Sequence, residues 1–174
     1  MSTRHFLQSA TDSRNAVKEL LQIIFAAELL RPSRCLWIVS PWLRDIPVID
    51  NTTGEFLSLC PGLPRSEVRM SRVLRTLIER GTQVVIATRP EEGNSQLPDA
   101  LLGAAEDTAG AIIRHERKTL HAKGIVGDRF ALSGSMNLTY NGLECLTEML
   151  MLQTDAGDVE QLRVQFADEY GGRV

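Results

Sequence analysis

The residues with the clearest chemical potential in this chain are a histidine and a lysine near its centre. His121 and Lys123 stand two positions apart in a run whose other members are mostly apolar. Side chains two apart lie on the same face of a β-strand, so the alternation predicts that both polar groups share one face. The apolar residues of the run would then face the core.

A reverse turn is expected to bring two further polar side chains to this pair. Gly127 and Asp128 form a turn signal, and a short apolar return strand follows at residues 130–132. Ser135 and Asn137 come directly after that strand. A hairpin would therefore return both side chains to the end of the strand where the histidine lies.

The chemistry of these four side chains favours the transfer of a phosphoryl group. The neutral imidazole of His121 is a nucleophile that can attack phosphorus, and Lys123 supplies a positive charge for the phosphate oxygens. Ser135 and Asn137 add neutral hydrogen bonds to the same oxygens. We therefore expect a phosphate site that needs neither a metal nor a cofactor.

The pattern His-x-Lys followed by Gly-Ser-x-Asn resembles the HKD signature of the phospholipase D superfamily. A single copy in a chain of 174 residues is most similar to the bacterial nuclease branch of that superfamily. The resemblance implies that His121 is the nucleophile that forms a phosphohistidine. It also implies that Lys123, Ser135 and Asn137 hold the phosphate.

Two carboxylates of the signature are less simply assigned. The superfamily usually places six residues between its Asp and its Gly-Ser, whereas five separate Asp128 from that pair here, so Asp128 or Gly127 takes the Asp position. We carry the role over to Asp128. The superfamily also has a Glu eleven residues after the Asn that supports the nucleophile. Glu148 falls at that offset and would orient the imidazole, with Glu144 as the nearby competitor.

Composition predicts one globular domain over residues 1–174, with a flexible N-terminus at residues 1–12. The chain is 43% hydrophobic and 24% charged, which suffices for a substantial core. Its three cysteines have no metal-binding spacing and indicate free thiols in a reducing, cytoplasmic setting. The most apolar run, residues 20–30, is too short to span a bilayer, so no membrane partner is expected.

Helical and strand patterns alternate along the chain, which predicts an α/β fold. The expected architecture is a mixed, mostly buried sheet with helices on both faces, as the phospholipase D resemblance also implies. The predicted helices start at Thr11 or Ser13, start at Ser71, and cover residues 97–108 and 158–170. The predicted strands cover residues 35–39, 84–87, 111–113, 118–127, 130–132 and 148–153.

Residues 43–66 are rich in proline and glycine, and we expect a long surface loop near the active site. Trp42, Asp45 and Asp50 are its candidates for contacting a substrate or partner, although Trp42 also suits a core anchor and the two aspartates suit turns. The segment from Ser40 to Asn51 resembles the phospholipase D-like proteins of bacterial gene clusters that insert 7-deazaguanine bases into DNA.

The single copy of the motif has a consequence for assembly. Members of the superfamily use a second copy to protonate the leaving oxygen. Of the other two histidines, His5 lies near the N-terminus and His115 lacks a lysine two residues later. The resemblance therefore implies a twofold homodimer in which His121 of each subunit meets at a shared site.

The substrate is less closely defined by the sequence. The formal net charge of −3 predicts no general affinity for nucleic acid, so a polyanion would need a local basic patch. Trp42, Arg114 and Lys118 are the substrate-binding candidates, and a DNA backbone is the expected ligand. Further arginines that suit either a groove or a solvated helix face stand at positions 65, 69, 72, 75, 80 and 117.

Two functions remain open at this point. The first is a metal-independent phosphodiesterase that acts as a nuclease on DNA. The second is a DNA-binding subunit of a modification or defence complex, together with other proteins, that keeps the phosphate pocket but does not cleave or cleaves only conditionally.

Overall fold

The computed structural model describes residues 3–8, 14–102 and 111–174. The strands are β1 (Thr3–Gln8), β2 (Cys35–Val39), β3 (Pro47–Asp50), β4 (Glu67–Arg69), β5 (Gln83–Thr88), β6 (Ala111–Glu116), β7 (Gly124–Val126), β8 (Ala131–Gly134) and β9 (Glu148–Gln153). The helices are α1 (Arg14–Leu30), α2 (Met70–Glu79), α3 (Gln96–Ala100), α4 (Tyr140–Glu144) and α5 (Ala156–Tyr170).

Seven strands form one mixed sheet in the order β1-β9-β8-β7-β2-β5-β6. β2, β5 and β6 run parallel to one another, and the remaining neighbours pair antiparallel. The parallel neighbours β2 and β5 are connected through α2, as parallel pairing requires a crossover. The predicted strands at residues 35–39 and 148–153 are confirmed at the same bounds as β2 and β9.

The sheet is buried between helices on both faces, which confirms the predicted fold class. On one face, Leu36 and Ile38 of β2 pack in a core with residues of α1 and α2, such as Phe25 and Leu74. On the other face, Trp37 packs in a smaller core that includes Tyr170 of α5. The Trp37 indole also donates a hydrogen bond of 2.8 Å to the backbone of Gly171. Continuous apolar sequence in β2 thus reflects burial on both sides.

The N-terminus differs from the expectation of a flexible segment at residues 1–12. Thr3–Gln8 form β1, which pairs antiparallel with all six residues of β9. The strand is an edge strand, and its partner is distant in sequence, so local patterns do not reveal the pairing. The predicted helix start at Thr11 or Ser13 lies outside the described residues, as do positions 103–108 of the helix predicted at 97–108.

Residues 43–66 are also more regular than the predicted loop. β3 pairs with β4, and a single 3₁₀ turn covers Glu55–Ser58 between them. The side chain of Asn51, which is fully buried, accepts a hydrogen bond from Phe56 N and donates one to Pro64 O. Apolar side chains of the segment join the core beside α1, so the prolines and glycines mark turns between short packed pieces.

Within the described residues, no helix combines the length and the apolarity needed to cross a membrane.

Candidate active site

Strand ends from the middle of the sheet meet at one edge. The register pairs Val39 at the end of β2 with Gly124 at the start of β7. Gly124 in turn pairs with Ser133 of β8, and Gly134 pairs with Leu150 near the start of β9. The segments that carry the candidate side chains therefore emerge together, at the carboxyl end of the parallel strands where ligands bind in many α/β sheets.

His121 and Lys123 lie in a segment without regular secondary structure that leads into β7. The strand predicted at residues 118–127 is shorter in the structure, because β7 begins only at Gly124. The His121 side chain is exposed and Lys123 is half-buried. The Lys123 ammonium donates a hydrogen bond of 2.7 Å to the backbone oxygen of His121, and its Nζ lies 2.8 Å from Nδ1 of the imidazole. The two side chains are therefore in contact, although the strand on which they were predicted to share a face does not extend to them.

The environment of Lys123 lowers the pKa of its ammonium below the ordinary value of 10.5. Partial burial is the main cause, because it disfavours the charged form. The carboxylate of Glu148 opposes this effect, and the guanidinium of Arg89 adds to it. Both groups are therefore close neighbours of the lysine, so that the site contains two cations and a carboxylate.

Ser135 contacts the carboxylate that was expected to support the nucleophile. Its hydroxyl donates a hydrogen bond to Glu148 and accepts one of 2.9 Å from Met149 N. Glu148 is buried, whereas Glu144 forms an ion pair with Lys18, so Glu148 is the one that the fold places beside Ser135. In the described structure no hydrogen bond joins Glu148 to the imidazole of His121.

The backbone explains why a glycine, Gly134, precedes Ser135. Gly134 has a φ of +154°, and a Cβ atom there would lie 2.0 Å from the backbone oxygen of Met149. A side chain at this position would push β8 away from β9. The Gly-Ser pair is therefore required by the close strand contact that delivers the Ser135 hydroxyl to the site.

Asn137 carries an unsatisfied polar atom. Its Oδ1 is buried and has no hydrogen-bond partner among the described residues. The neighbouring backbone is held in place, since Leu138 N donates to the hydroxyl of the buried Ser40 at 3.1 Å. A buried acceptor without a donor costs free energy, and the oxygens of a phosphodiester do not supply a donor. The predicted hydrogen bonds from Asn137 to phosphate would come from its amide nitrogen.

Asp128 does not join this cluster. It lies beyond the far end of β7, where its Oδ2 accepts hydrogen bonds from Arg34 N at 3.1 Å and from Arg34 Nε at 3.2 Å. Its Oδ1 lies 3.1 Å from Nη2 of the buried Arg163 on α5. The carboxylate thus ties the hairpin to the start of β2 and to α5. It has a structural role there and does not lie beside His121.

The alternative assignment to Gly127 is incompatible with the packing. A Cβ atom at Gly127 would lie 2.7 Å from the Phe130 ring and 2.8 Å from the hydroxyl of Ser33. No side chain fits there without movement of the turn. Of the two positions, Asp128 is therefore the one that can carry a carboxylate.

The three candidates in the segment after β2, Trp42, Asp45 and Asp50, lie in different surroundings. Trp42 is 40% exposed at the end of β2, on the side of the strand-end cluster. Asp45 accepts hydrogen bonds from Ser71 N at 2.8 Å and from the Ser71 hydroxyl at 2.7 Å, which stabilises the start of α2. Asp50 accepts hydrogen bonds from Thr52, which lower the pKa of its carboxyl. Asp45 therefore ties its segment to α2, and Asp50 serves a local turn.

Of the basic residues proposed to bind substrate, some lie near the site and others are paired elsewhere. Lys118 is exposed on the turn that precedes His121, and it remains near the site. Arg114 of β6 forms an ion pair of 2.9 Å with Asp99. Four of the arginines around α2 donate to backbone carbonyls: Arg69 to Asp45, Arg72 to Gly62, Arg75 to Ala100 and Arg80 to Leu29. These four stabilise neighbouring segments rather than an open groove.

Arg89 is a site residue that the sequence analysis misses. Its Nε donates a hydrogen bond of 2.8 Å to the backbone oxygen of Leu120, the residue before His121. Its guanidinium lies over the Trp42 ring, 4.9 Å from the ring centroid. The available signal was its position directly after a buried parallel strand, where functional groups are often found.

Comparisons with known proteins agree with this architecture. The family described as "Cardiolipin synthase, PLD-like domain" matches residues 46–170. No curated protein matches the chain by sequence.

Solved structures with a similar fold include two bacterial proteins of comparable length. NucT from Helicobacter pylori has a TM-score of 0.56 at 11% identity, with 96% of this chain and 95% of that chain covered. The phospholipase D family member Nuc from Salmonella typhimurium has a TM-score of 0.56 at 14% identity, with 96% and 92% covered. Polyphosphate kinase from Porphyromonas gingivalis has a TM-score of 0.59 at 11% identity, with 95% and 25% covered.

Proposed function

This chain belongs to the family of phospholipase D-like domains, and on that premise we propose that it is a metal-independent phosphodiesterase, specifically a nuclease that acts on DNA. The observation that carries the proposal is the contact between His121 and Lys123, with 2.8 Å between Nδ1 and Nζ. The contact supports the proposal because an imidazole and an ammonium group lie together on one exposed edge. The charge that phosphoryl transfer requires is then supplied by side chains.

The proposed reaction proceeds in two displacements. A ring nitrogen of His121 attacks phosphorus, and the bond from phosphorus to the leaving oxygen breaks as that oxygen takes a proton from an acid. The product is a phosphohistidine and a nucleic-acid end with a free hydroxyl. Water then attacks phosphorus, and the bond from nitrogen to phosphorus breaks. The proton of the water returns to the group that acted as the acid in the first step.

The resting contacts suggest what substrate binding changes. An ammonium group can only donate hydrogen bonds, so Nδ1 of His121 accepts from Lys123 and the neutral ring carries its proton on Nε2. A phosphate that draws Lys123 onto its oxygens would release Nδ1. Nδ1 could then attack phosphorus while a carboxylate accepts the hydrogen bond from the Nε2 proton, which becomes acidic as the new bond forms. Glu148, buried beside Ser135, is the carboxylate proposed for this role.

We propose that the acid comes from a second copy of the chain. The other histidines cannot serve within one chain, because His5 lies on β1 and His115 on β6, the two outer strands of the sheet. Large apolar side chains are exposed next to the cluster, among them Leu146 and Met149, which flank Glu148. Such exposed apolar surface beside half of an active site suits a twofold interface.

A second function is favoured by one observation. Glu148 accepts a hydrogen bond from Ser135, and the ammonium of Lys123 contacts Nδ1 of His121. Without a ligand, neither the carboxylate nor that ring nitrogen is therefore free to take part in the reaction. This arrangement suits a subunit that binds DNA within a modification or defence complex and cleaves only when a partner or substrate rearranges the site.

Cleavage assays in chelator separate the two functions. Purified protein is incubated with single-stranded and duplex DNA in EDTA, and wild type is compared with His121→Ala and with the control His115→Ala. The enzyme proposal expects cleavage that is lost in His121→Ala and retained in His115→Ala. Binding of DNA without cleavage, also when cell extract is added, would support the binding subunit instead.

Light scattering tests the shared site. We expect the mass of a dimer at micromolar concentration. A mixture of inactive His121→Ala with wild type should lose more activity than dilution explains. A monomeric mass that accompanies full activity would contradict the dimer.

A further inference from the structure

Arg89 and Trp42 form a paired group at the edge of the candidate site. The guanidinium lies 4.9 Å from the centroid of the indole, within the range of a cation–π interaction. The hydrogen bond from Arg89 to Leu120 O fixes the guanidinium beside the segment that carries the nucleophile. The pair therefore lies next to His121 but makes no hydrogen bond to it.

The backbones of both residues are held by one buried amide. The side chain of Asn94, which is 2% exposed, donates hydrogen bonds to Pro41 O at 2.8 Å and to Arg89 O at 2.9 Å. Its oxygen accepts from Leu43 N at 2.8 Å. The residues on both sides of Trp42 and the backbone of Arg89 are thus fixed to each other, so the stack is preorganised for a ligand.

Arg89 forms no ion pair among the described residues, so no carboxylate neutralises its charge. Arg117 offers a direct comparison, because it also lies over an aromatic ring, that of Tyr170, but forms an ion pair with Glu169. Arg89 forms no ion pair with a described carboxylate and has Lys123 as a neighbouring cation. The guanidinium is fixed without an ion pair beside the segment of His121 and Lys123, where a bound anion would stabilise it.

The indole supplies a second kind of contact. Trp42 is 40% exposed, whereas Trp37, the other tryptophan, is fully buried. An exposed ring beside a cation is the arrangement on which proteins stack unpaired nucleobases. A base within a duplex is already paired and stacked on its neighbours, so it cannot reach such a ring without being extruded.

We propose that Arg89 and Trp42 form a subsite for the nucleotide adjacent to the scissile phosphate, with the base stacked on the indole and the phosphate bound by the guanidinium, so that the substrate is single-stranded nucleic acid. The proposal rests on the proposed function, since it takes the scissile phosphate to lie at His121 and Lys123. It adds the strandedness of the substrate and a residue, Arg89, that determines it.

Binding measurements in an inactive background test the subsite. A fluorescein-labelled 12-nucleotide single strand and its duplex are titrated into His121→Ala protein in low salt, and anisotropy is recorded. Arg89→Met and Trp42→Ala are compared with the matched control Arg117→Met. Arg89→Lys retains the charge without the planar stack, and thermal melts by circular dichroism verify that every variant is folded.

The subsite predicts at least about tenfold weaker binding of the single strand by Arg89→Met and by Trp42→Ala, the size of one lost base stack, and little change for Arg117→Met. It also predicts quenching of the Trp42 fluorescence by an unlabelled single strand and weaker binding of the duplex. Equal binding by Arg89→Met and Arg117→Met, or equal affinity for duplex and single strand, would overturn the subsite while leaving the nuclease proposal intact. No binding of either strand form by the inactive background would overturn both.

Discussion

The Nζ atom of Lys123 lies 2.8 Å from Nδ1 of His121 and also binds the backbone oxygen of that residue at 2.7 Å. One ammonium therefore contacts both the ring and the backbone of His121. Because the same ammonium is the proposed phosphate ligand, the proposed reaction couples substrate binding to release of the imidazole through Lys123.

The first prediction concerns the titration of Lys123. Burial holds the pKa of its ammonium below 10.5, so the group should lose its proton at a lower pH than an ordinary lysine. The chain has three lysines, at positions 18, 118 and 123. In a ¹³C NMR titration of the lysine Cε resonances, one signal should titrate below the other two and vanish in Lys123→Arg. Three coincident titrations near 10.5 would contradict this assignment.

Phosphate binding should follow the same titration. As pH rises through the lowered pKa of Lys123, the ammonium loses the charge that attracts phosphate, so affinity for oligonucleotides should fall before pH 10.5 is reached. Lys123→Arg retains its charge in this range, and its alkaline loss of affinity should begin at a higher pH. Anisotropy titrations at stepped pH check this, and identical profiles for the two proteins would refute the role of Lys123.

Asp128 should matter for stability and not for chemistry. Removal of its carboxylate in Asp128→Ala leaves the buried guanidinium of Arg163 with one ion pair among the described residues, that to the half-exposed Glu160. Breaking a buried pair in this way costs about 3–5 kcal/mol of unfolding free energy. Urea unfolding should show this loss, while cleavage per folded molecule is retained. The control Glu160→Gln removes the exposed partner and should cost less than about 1 kcal/mol.

Glu28 should make stability depend on pH. Burial raises the pKa of its carboxyl above 4.5 despite hydrogen bonds from Ser33 and the charge of Arg129. The native state then binds a proton more tightly than the unfolded state, so unfolding free energy should rise as pH falls from the raised pKa toward 4.5. Urea melts of wild type and Glu28→Gln isolate this term as their difference. A difference that does not vary across that window would count against it.

Ser135 should contribute to both stability and the site. Its hydroxyl donates to the buried carboxylate of Glu148 and accepts from Met149 N. Ser135→Ala leaves the carboxylate without this donor, which should cost about 1–3 kcal/mol and lower the cleavage rate. Ser133→Ala, two residues earlier on β8, is the control and should change both quantities little. Equal unfolding free energies for the two variants would show that the Ser135 contacts add nothing.

The sequence by itself determined the features that depend on local pattern. Continuous apolar runs predicted β2 and the inner strand β5, because a strand buried on both faces has no polar alternation. The spacing of His121 and Lys123 predicted that they lie together, and they are in contact, although the predicted strand does not extend to them. The order of helices and strands was likewise sufficient for the fold class, since alternation of the two favours a sheet covered on both faces.

Only the tertiary structure decided the contacts between segments that are distant in the chain. It paired β1 with β9, folded residues 43–66 into β3 and its turns, and separated Asp128 from His121 and Lys123. It also brought Arg89 to Trp42, 47 positions apart, through the amide of Asn94. Such contacts depend on strand register and on packing between elements, which residue periodicity does not encode.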